Sequence, residues 1–303
     1  MSETVAIRGA AVATPRRRGE GLTATTLIGP ATIFVAVSLF APLSILLRYS
    51  LNDFDKATKT MIAAVTPANY IRFFTDAYYT SALATTVEVA LLSTIVCLVL
   101  GFPLAYVVAR TQSRYKNLLI MAVVLPLFVG NAVRAAGWMV IFGNKGFVNA
   151  GLMGLGVIEK PLEIMFTEKA VIIGIIAVTL PFMVLSLQSV IEGIDRAVEE
   201  AAFSLGAPPL TMFRRVLWPL ALPGVLAGTI LTFILAMNAY ATPYLLGGPL
   251  FKMMAPLVYN TFTQQSNWPF GGAIAFILMA VTLTLTVAAN LLIQRRSRST
   301  TSS

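Results

Sequence analysis

Few side chains in this sequence could do chemistry, and each stands in an apolar setting that narrows what the chemistry could be. Glu88 and Arg134 are ionisable residues inside stretches long enough to cross a membrane, where such groups are functional candidates by default. Glu88 lies about seven residues and Arg134 about eight residues inside the outer ends of their spans, so at 1.5 Å per residue both sit on the order of 10–12 Å below the outer surface. At equal depth they can form a neutralised ion pair that packs helices. The sharper alternative leaves Glu88 in a pathway, where its carboxylate attracts a cationic amine. Trp138 offers a ring face to the same kind of cation, or an ordinary interfacial anchor. Asn238, Tyr240 and Tyr244 stand near Pro243, where a break in the backbone is tolerated only against a cavity or packed protein. They either line that cavity or bond between helices.

The residues that are missing exclude more. The chain has no histidine, so zinc chemistry, histidine-based triads and histidine proton relays are out. Its one cysteine, Cys97, rules out an intramolecular disulfide, and no group of metal ligands is expected. No G-x-x-x-x-G-K-[ST] loop is present, so the chain does not hydrolyse ATP by itself. A secondary transporter driven by an ion gradient would want several intramembrane acids, and only Glu88 is there.

The elements that must position these groups are membrane spans. Hydrophobic residues make up 57% of the chain and charged residues 12%, about half the charged share of a soluble domain, and the mean hydropathy is +0.80. The class is therefore an all-α polytopic membrane protein. Six apolar segments reach the roughly 20 residues needed to cross: 25–47, 83–109, 118–142, 170–190, 220–245 and 272–293. A polar, basic tail over 1–24 precedes them and a short tail over 294–303 follows. The first segment is too long for a signal peptide, lacks a clear small-residue cleavage site, and reads as a retained span. With the N-terminus inside, the cytoplasmic loops hold 13 basic residues against 6 acids and the opposite side 8 against 6. That excess places both termini and the 195–219 loop in the cytoplasm. The net charge of +9 is scattered over short loops with no aromatic-interleaved stripe, which excludes nucleic acid as a partner. On the outer side, the segment at Pro67 predicts a short interfacial helix, and Gly143-Asn-Lys-Gly146 a turn followed by another.

Between the fourth and fifth spans lies the most polar insert, EEAAFSLGAPPLTMFRRVLWP, over residues 199–219. Ile191, Ile194, Val198, Ala201, Ala202 and Leu205 recur at helical spacing and predict one apolar face. Asp195 can cap that helix after a break at Gly193, and Gly206 can end it. Pro208 and Pro209 restart the chain into a second short helix with Leu210, Phe213 and Leu217 on one face and Arg214 and Arg215 on another.

Glu200-Ala-Ala, Gly206 and Val216-Leu-Trp-Pro219 together resemble the EAA loop of binding-protein-dependent ABC importer permeases. Trp218 departs from the leucine usual before the proline. Gly101-Phe-Pro-Leu-Ala-Tyr, Leu125-Pro with Asn131 and Arg134, Gly143-Asn-Lys-Gly, Ile164-Met-Phe-Thr, Leu180-Pro-Phe-Met and Trp268-Pro-Phe-Gly are similar to the spermidine/putrescine permeases. Importers of opines, aminoalkylphosphonates and ferric iron share much of this pattern. The resemblance implies a type I importer permease fold in the bacterial inner membrane and a transport subunit rather than an enzyme. It implies a cytoplasmic ATPase dimer that binds ATP and magnesium, a second and non-identical permease, and a periplasmic binding protein. It assigns ATPase coupling to Glu199, Glu200, Ala201, Ala202, Gly206, Phe213, Arg214, Arg215 and Pro219. The pathway falls to Glu88, Asn131, Arg134, Trp138, Asn238, Tyr240 and Tyr244.

Overall fold

A computed structural model describes residues 20–249 and 251–300. Most of the N-terminal tail and the last three residues lie outside the described residues, while 20–24 belong to the first helix and 294–300 to the last. The chain divides into two units, residues 1–48 and 49–303. The first is described by helix α1 (Glu20–Ser50), which holds a span at Gly29–Ser50 and carries Pro30 and Pro42 within it.

The second unit opens with a feature the all-α reading did not anticipate, an antiparallel hairpin of β1 (Asp53–Asp55) and β2 (Thr60–Ile62). Three-residue strands are too short to show alternation, so only the turn chemistry could have announced them. The Thr58 hydroxyl and the Ala57 N–H both donate to Asp55, at 2.7 and 2.8 Å, and hold its carboxyl below the usual range. Helix α2 (Ala68–Thr75) is the short helix expected after Pro67. Asn69 ties it to the segment leading into the hairpin by donating to the carbonyls of Ser50 and Asn52.

Three long helices form the centre: α3 (Ala77–Arg110), α7 (Glu168–Glu192) and α10 (Trp218–Met237), packed pairwise against one another. Between α3 and α7 stand α4 (Lys116–Val124), a 3-10 turn (Leu125–Phe128), α5 (Asn131–Phe142) and α6 (Phe147–Gly154). Helix α8 (Arg196–Ser204) and the one-turn α9 (Pro209–Met212) lead through a π-helical turn (Phe213–Leu217) into α10. Helices α11 (Ala241–Leu246), α12 (Met254–Thr263) and α13 (Trp268–Thr300) complete the chain. Among the described residues, five helices are long and apolar enough to cross a membrane, and a bent pair gives a sixth when its two arms are counted as one span.

That bent pair corrects the third span. Residues 118–142 are not one rod: the helical run turns by 97° between Phe128 and Asn131. Pro126 has no N–H to continue an α-helix and sits in the 3-10 turn, and Val129 is extended. The equal-depth estimate for Arg134 assumed a straight helix and falls with it. The fifth span is corrected at both ends. It begins at Pro209, because α9, the π turn and α10 run on without a gap, and it ends at Met237 rather than 245. Pro219 explains the π turn: it cannot donate to Arg215, and its ring would crowd that carbonyl, so the helix widens and Trp218 bonds back to Phe213.

The core has two ends. One gathers Phe73, Val89, Ile175, Phe233, Met254 and Phe270; the other gathers Phe102, Ala105, Leu187, Ile191, Met212 and Leu217. Small residues let the central helices approach. A Cβ on Gly224 would meet Val190 Cβ at 2.9 Å and the Ser186 carbonyl at 3.2 Å. A Cβ on Gly228 would meet Met183 Sδ at 2.7 Å, the movable end of a flexible chain. Gly224→Val should therefore cost about 1–3 kcal/mol by overpacking, and more than Gly228→Ala. Thermal unfolding of the detergent-solubilised protein measures both, with Gly137→Ala, where a Cβ meets nothing, as the neutral control.

Candidate functional site

The 195–219 loop folds as its local signals require. The Asp195 carboxylate accepts from Ala197 N at 3.0 Å and caps α8. Gly206 follows the helix at φ +78°, in the left-handed region, so the chain reverses there and a side chain would be strained. The predicted apolar face does not survive as one surface. Ile191 is buried and Ala202 packs on the core, but Val198, Ala201 and Leu205 are exposed, Leu205 by 89%. The helical repeat is broken at Gly193, so residues before and after it do not share a phase. Glu200 and Gly206 also face outward, as do Arg214, Arg215 and Pro219. Phe213 does not: its ring lies edge-on to Phe102 at 5.1 Å and packs beside Trp218. Together these rings wall an apolar cleft of about 610 Å³ between α3 and the π turn.

Glu199, one residue from Glu200, points the opposite way and is 7% exposed. Arg110, at the end of α3, donates to its Oε1 from Nε at 2.9 Å and from Nη2. Tyr106, one turn earlier, donates to Oε2 at 2.9 Å. Arg110 Nη1 reaches the Ile194 carbonyl at 3.0 Å, and Arg196 Nη2 donates to the Arg110 carbonyl at 2.9 Å. Glu199 therefore belongs to an intramolecular network rather than to the outward surface. Removing one member of such a buried pair strands the other charge, at about 3–5 kcal/mol. Tyr106 and Arg110 were not singled out from sequence. Their one signal was a tyrosine and an arginine four apart on the last turn of a span. Beside them Lys116 and Glu192 pair at 2.8 Å and tie α4 to α7.

The polar groups at the other end are dispersed. Glu88 is exposed on the α3 stripe that continues through Leu91, Leu92, Ile95 and Val99, and it has no hydrogen-bond or ion-pair partner among the described residues. No Glu88–Arg134 pair forms among them: Arg134 instead donates from Nη2 to Asn131 Oδ1 at 2.5 Å, and its Nε and Nη1 are buried without partners. Trp138 stacks on Phe142 with ring centroids 4.9 Å apart. The break in the fifth span falls at Asn238–Tyr240, ahead of Pro243, which is held inside α11. Tyr240 and Tyr244 stack at 5.4 Å and are joined by Tyr259, a residue not anticipated, at 4.5 Å from Tyr240. Tyr244 opens with Tyr78, Lys252, Asn260 and Gln264 onto a cavity of about 520 Å³. Asn238 lies elsewhere, in a cleft of about 450 Å³ between α10, α12 and α13, and donates to the Ile234 carbonyl at 2.9 Å.

The geometry is that of a helical membrane bundle with an exposed helix–turn–helix at one end and no catalytic constellation among the described residues. Comparison with known proteins agrees. The family described as binding-protein-dependent transport system inner membrane component matches residues 97–299. The spermidine/putrescine transport system permease protein PotB of Haemophilus influenzae is 35% identical over 235 residues, 77% of this chain and 82% of its own. The PotB protein of Escherichia coli is 34% identical over 272 residues, 90% of this chain and 95% of its own. In fold, the chain is similar to a chain of a bacterial alginate ABC transporter crystallised in complex with an alginate pentasaccharide-bound periplasmic protein. The TM-score is 0.76 at 18% identity, covering 92% of this chain and 96% of that one. This chain belongs to the binding-protein-dependent transport system inner membrane components, the permease subunits of ABC importers, which carry solutes and are not enzymes.

Proposed function

We propose that the chain is one of two non-identical permease subunits of an ATP-driven importer for small cationic amines of the spermidine and putrescine class. A cytoplasmic ATPase dimer, carrying ATP and magnesium, powers it, and a periplasmic binding protein delivers the solute. Both termini and the 195–219 loop face the cytoplasm, the side with the greater excess of Lys and Arg.

The observation that carries this reading is the loop. Glu200, Ala201, Leu205 and Leu210 are turned outward on a short helix, a glycine turn and the helix after it, and nothing among the described residues covers them. An apolar patch rimmed by charge is the form of a protein-docking surface. Arg214 and Arg215 flank it and can meet partner acids. The amine class rests on the names of the PotB relatives, which match nearly end to end, and on Glu88. A carboxylate facing lipid inside a span is costly, about 2.5–3.5 kcal/mol at the helix centre and less toward the end where Glu88 stands, so its exposed face belongs against a polar pathway or the second permease. Asn131, Arg134, Trp138, Asn238, Tyr240 and Tyr244 are its companions in the pathway set.

The test is reconstitution in liposomes with the ATPase, the second permease and the binding protein. ATP-dependent uptake of spermidine or putrescine, absent without the binding protein, is the expected result. Full uptake without the ATPase would overturn the importer reading. Uptake of an aminoalkylphosphonate in preference to polyamine would overturn the solute class alone.

A further inference from the structure

We propose that the Glu199–Arg110–Tyr106 network is the joint through which movement of α8 is transmitted to α3, with Glu199 and Arg110 as positioning residues for coupling. The inference rests on the importer reading above.

Helix α8 is otherwise loosely attached to the long helices. It follows α7 through a turn containing Gly193, and its backbone packs on α9 and the π turn rather than on α3 or α7. Its apolar link to the core is Ala202. The Glu199 carboxylate fills the gap. Its Oε1 takes two donors of one planar guanidinium, and its Oε2 takes the Tyr106 hydroxyl from the previous turn of α3. The third donor group of Arg110 holds the carbonyl of Ile194 in the α7–α8 turn. Arg196, the first residue of α8, closes the ring on the α3 carbonyl of Arg110. One buried carboxylate thus fixes α3, the end of α7 and α8 in a single register. A fork of charge-assisted bonds has one good geometry and yields little, so a push on the outer face of α8 is handed on rather than absorbed at Gly193. The helix that receives it carries Glu88 toward its other end.

The complex with its ATPase, second permease and binding protein in liposomes provides the test, with spermidine as the transported probe. Three quantities are read: ATPase subunits retained per permease, ATP hydrolysis, and spermidine moved per ATP. Glu199→Gln and Arg110→Gln should retain the ATPase and lower spermidine per ATP about three- to five-fold each. The double variant should be no worse than either single, because both break the same joint. Tyr106→Phe, which removes one of the bonds, should lower the ratio less than two-fold. A Glu199→Gln complex with its full ATPase complement and the wild-type ratio would overturn the proposal, as would multiplicative losses in the double variant. If Glu199→Gln does not assemble, the exchanged pair Arg110→Glu with Glu199→Arg decides. Recovery of assembly and of part of the ratio supports the joint, and failure to recover either overturns it. Failure of the importer reading would look different, since the unmutated complex would then show no ATP-driven uptake.

Discussion

Glu200→Lys is expected to lower ATP-driven uptake about a hundred-fold while leaving the permease folded. Glu200 has no side-chain partner among the described residues. Its backbone carbonyl accepts from Ser204 Oγ at 3.0 Å, a bond the side chain takes no part in. The replacement therefore removes nothing the chain needs for its own packing. On the proposed docking the effect comes from the ATPase, where Glu200 would meet a basic group. Reversing its sign costs several kcal/mol through like-charge contact, and each 1.4 kcal/mol is about ten-fold in affinity. Glu200→Gln, which removes the attraction without adding repulsion, should cost about ten-fold. The measurements are ATPase co-purification and uptake in the same preparation. Wild-type uptake by Glu200→Lys would end the docking role of this residue. Gly206→Val supplies an independent check on the turn, since a β-branched side chain at φ +78° is strained even though nothing crowds the site.

Glu88→Gln is expected to lower polyamine uptake ten-fold or more without loss of assembly. The side chain is exposed and unpaired among the described residues, so neutralising it removes no contact that holds α3 to α7 or α10. A hydrogen bond to a charged group contributes about 1.5–3 kcal/mol, and losing the one that a passing ammonium donates to the carboxylate gives that range of rate. Uptake kinetics at several spermidine concentrations separate a rise in KM from a fall in maximal rate. Unchanged kinetics would leave Glu88 a contact to the second permease. Arg134→Gln should behave differently, because two of its nitrogens are already buried among other groups and its removal relieves desolvation there.

Much of this protein was legible in the sequence, for reasons that are local. Long apolar runs must become helices in a bilayer, because only an internally bonded backbone survives there. Hence four of the six spans lie near their expected positions, and α2 and α6 stand after Pro67 and Gly146. Capping is local too, so Asp195 and Gly206 do at the ends of α8 what their types and places demand. The EAA spacing was enough to identify the family. What the sequence could not determine depended on direction and distance. Proline marks a place where a helix can bend, but neighbours decide whether it does: Pro126 stands at a 97° break, while Pro103 and Pro181 remain inside continuous helices. Two adjacent glutamates are chemically identical on paper. They part company only because successive residues on a helix are about 100° apart, so Glu199 meets Arg110 inside and Glu200 faces out. Likewise Glu88 and Arg134 seemed equally deep until the bend in the third span removed the common axis from which depth was measured. The type and order of the elements were written in the sequence; which side chains met was decided by the packing of α3, α7 and α10.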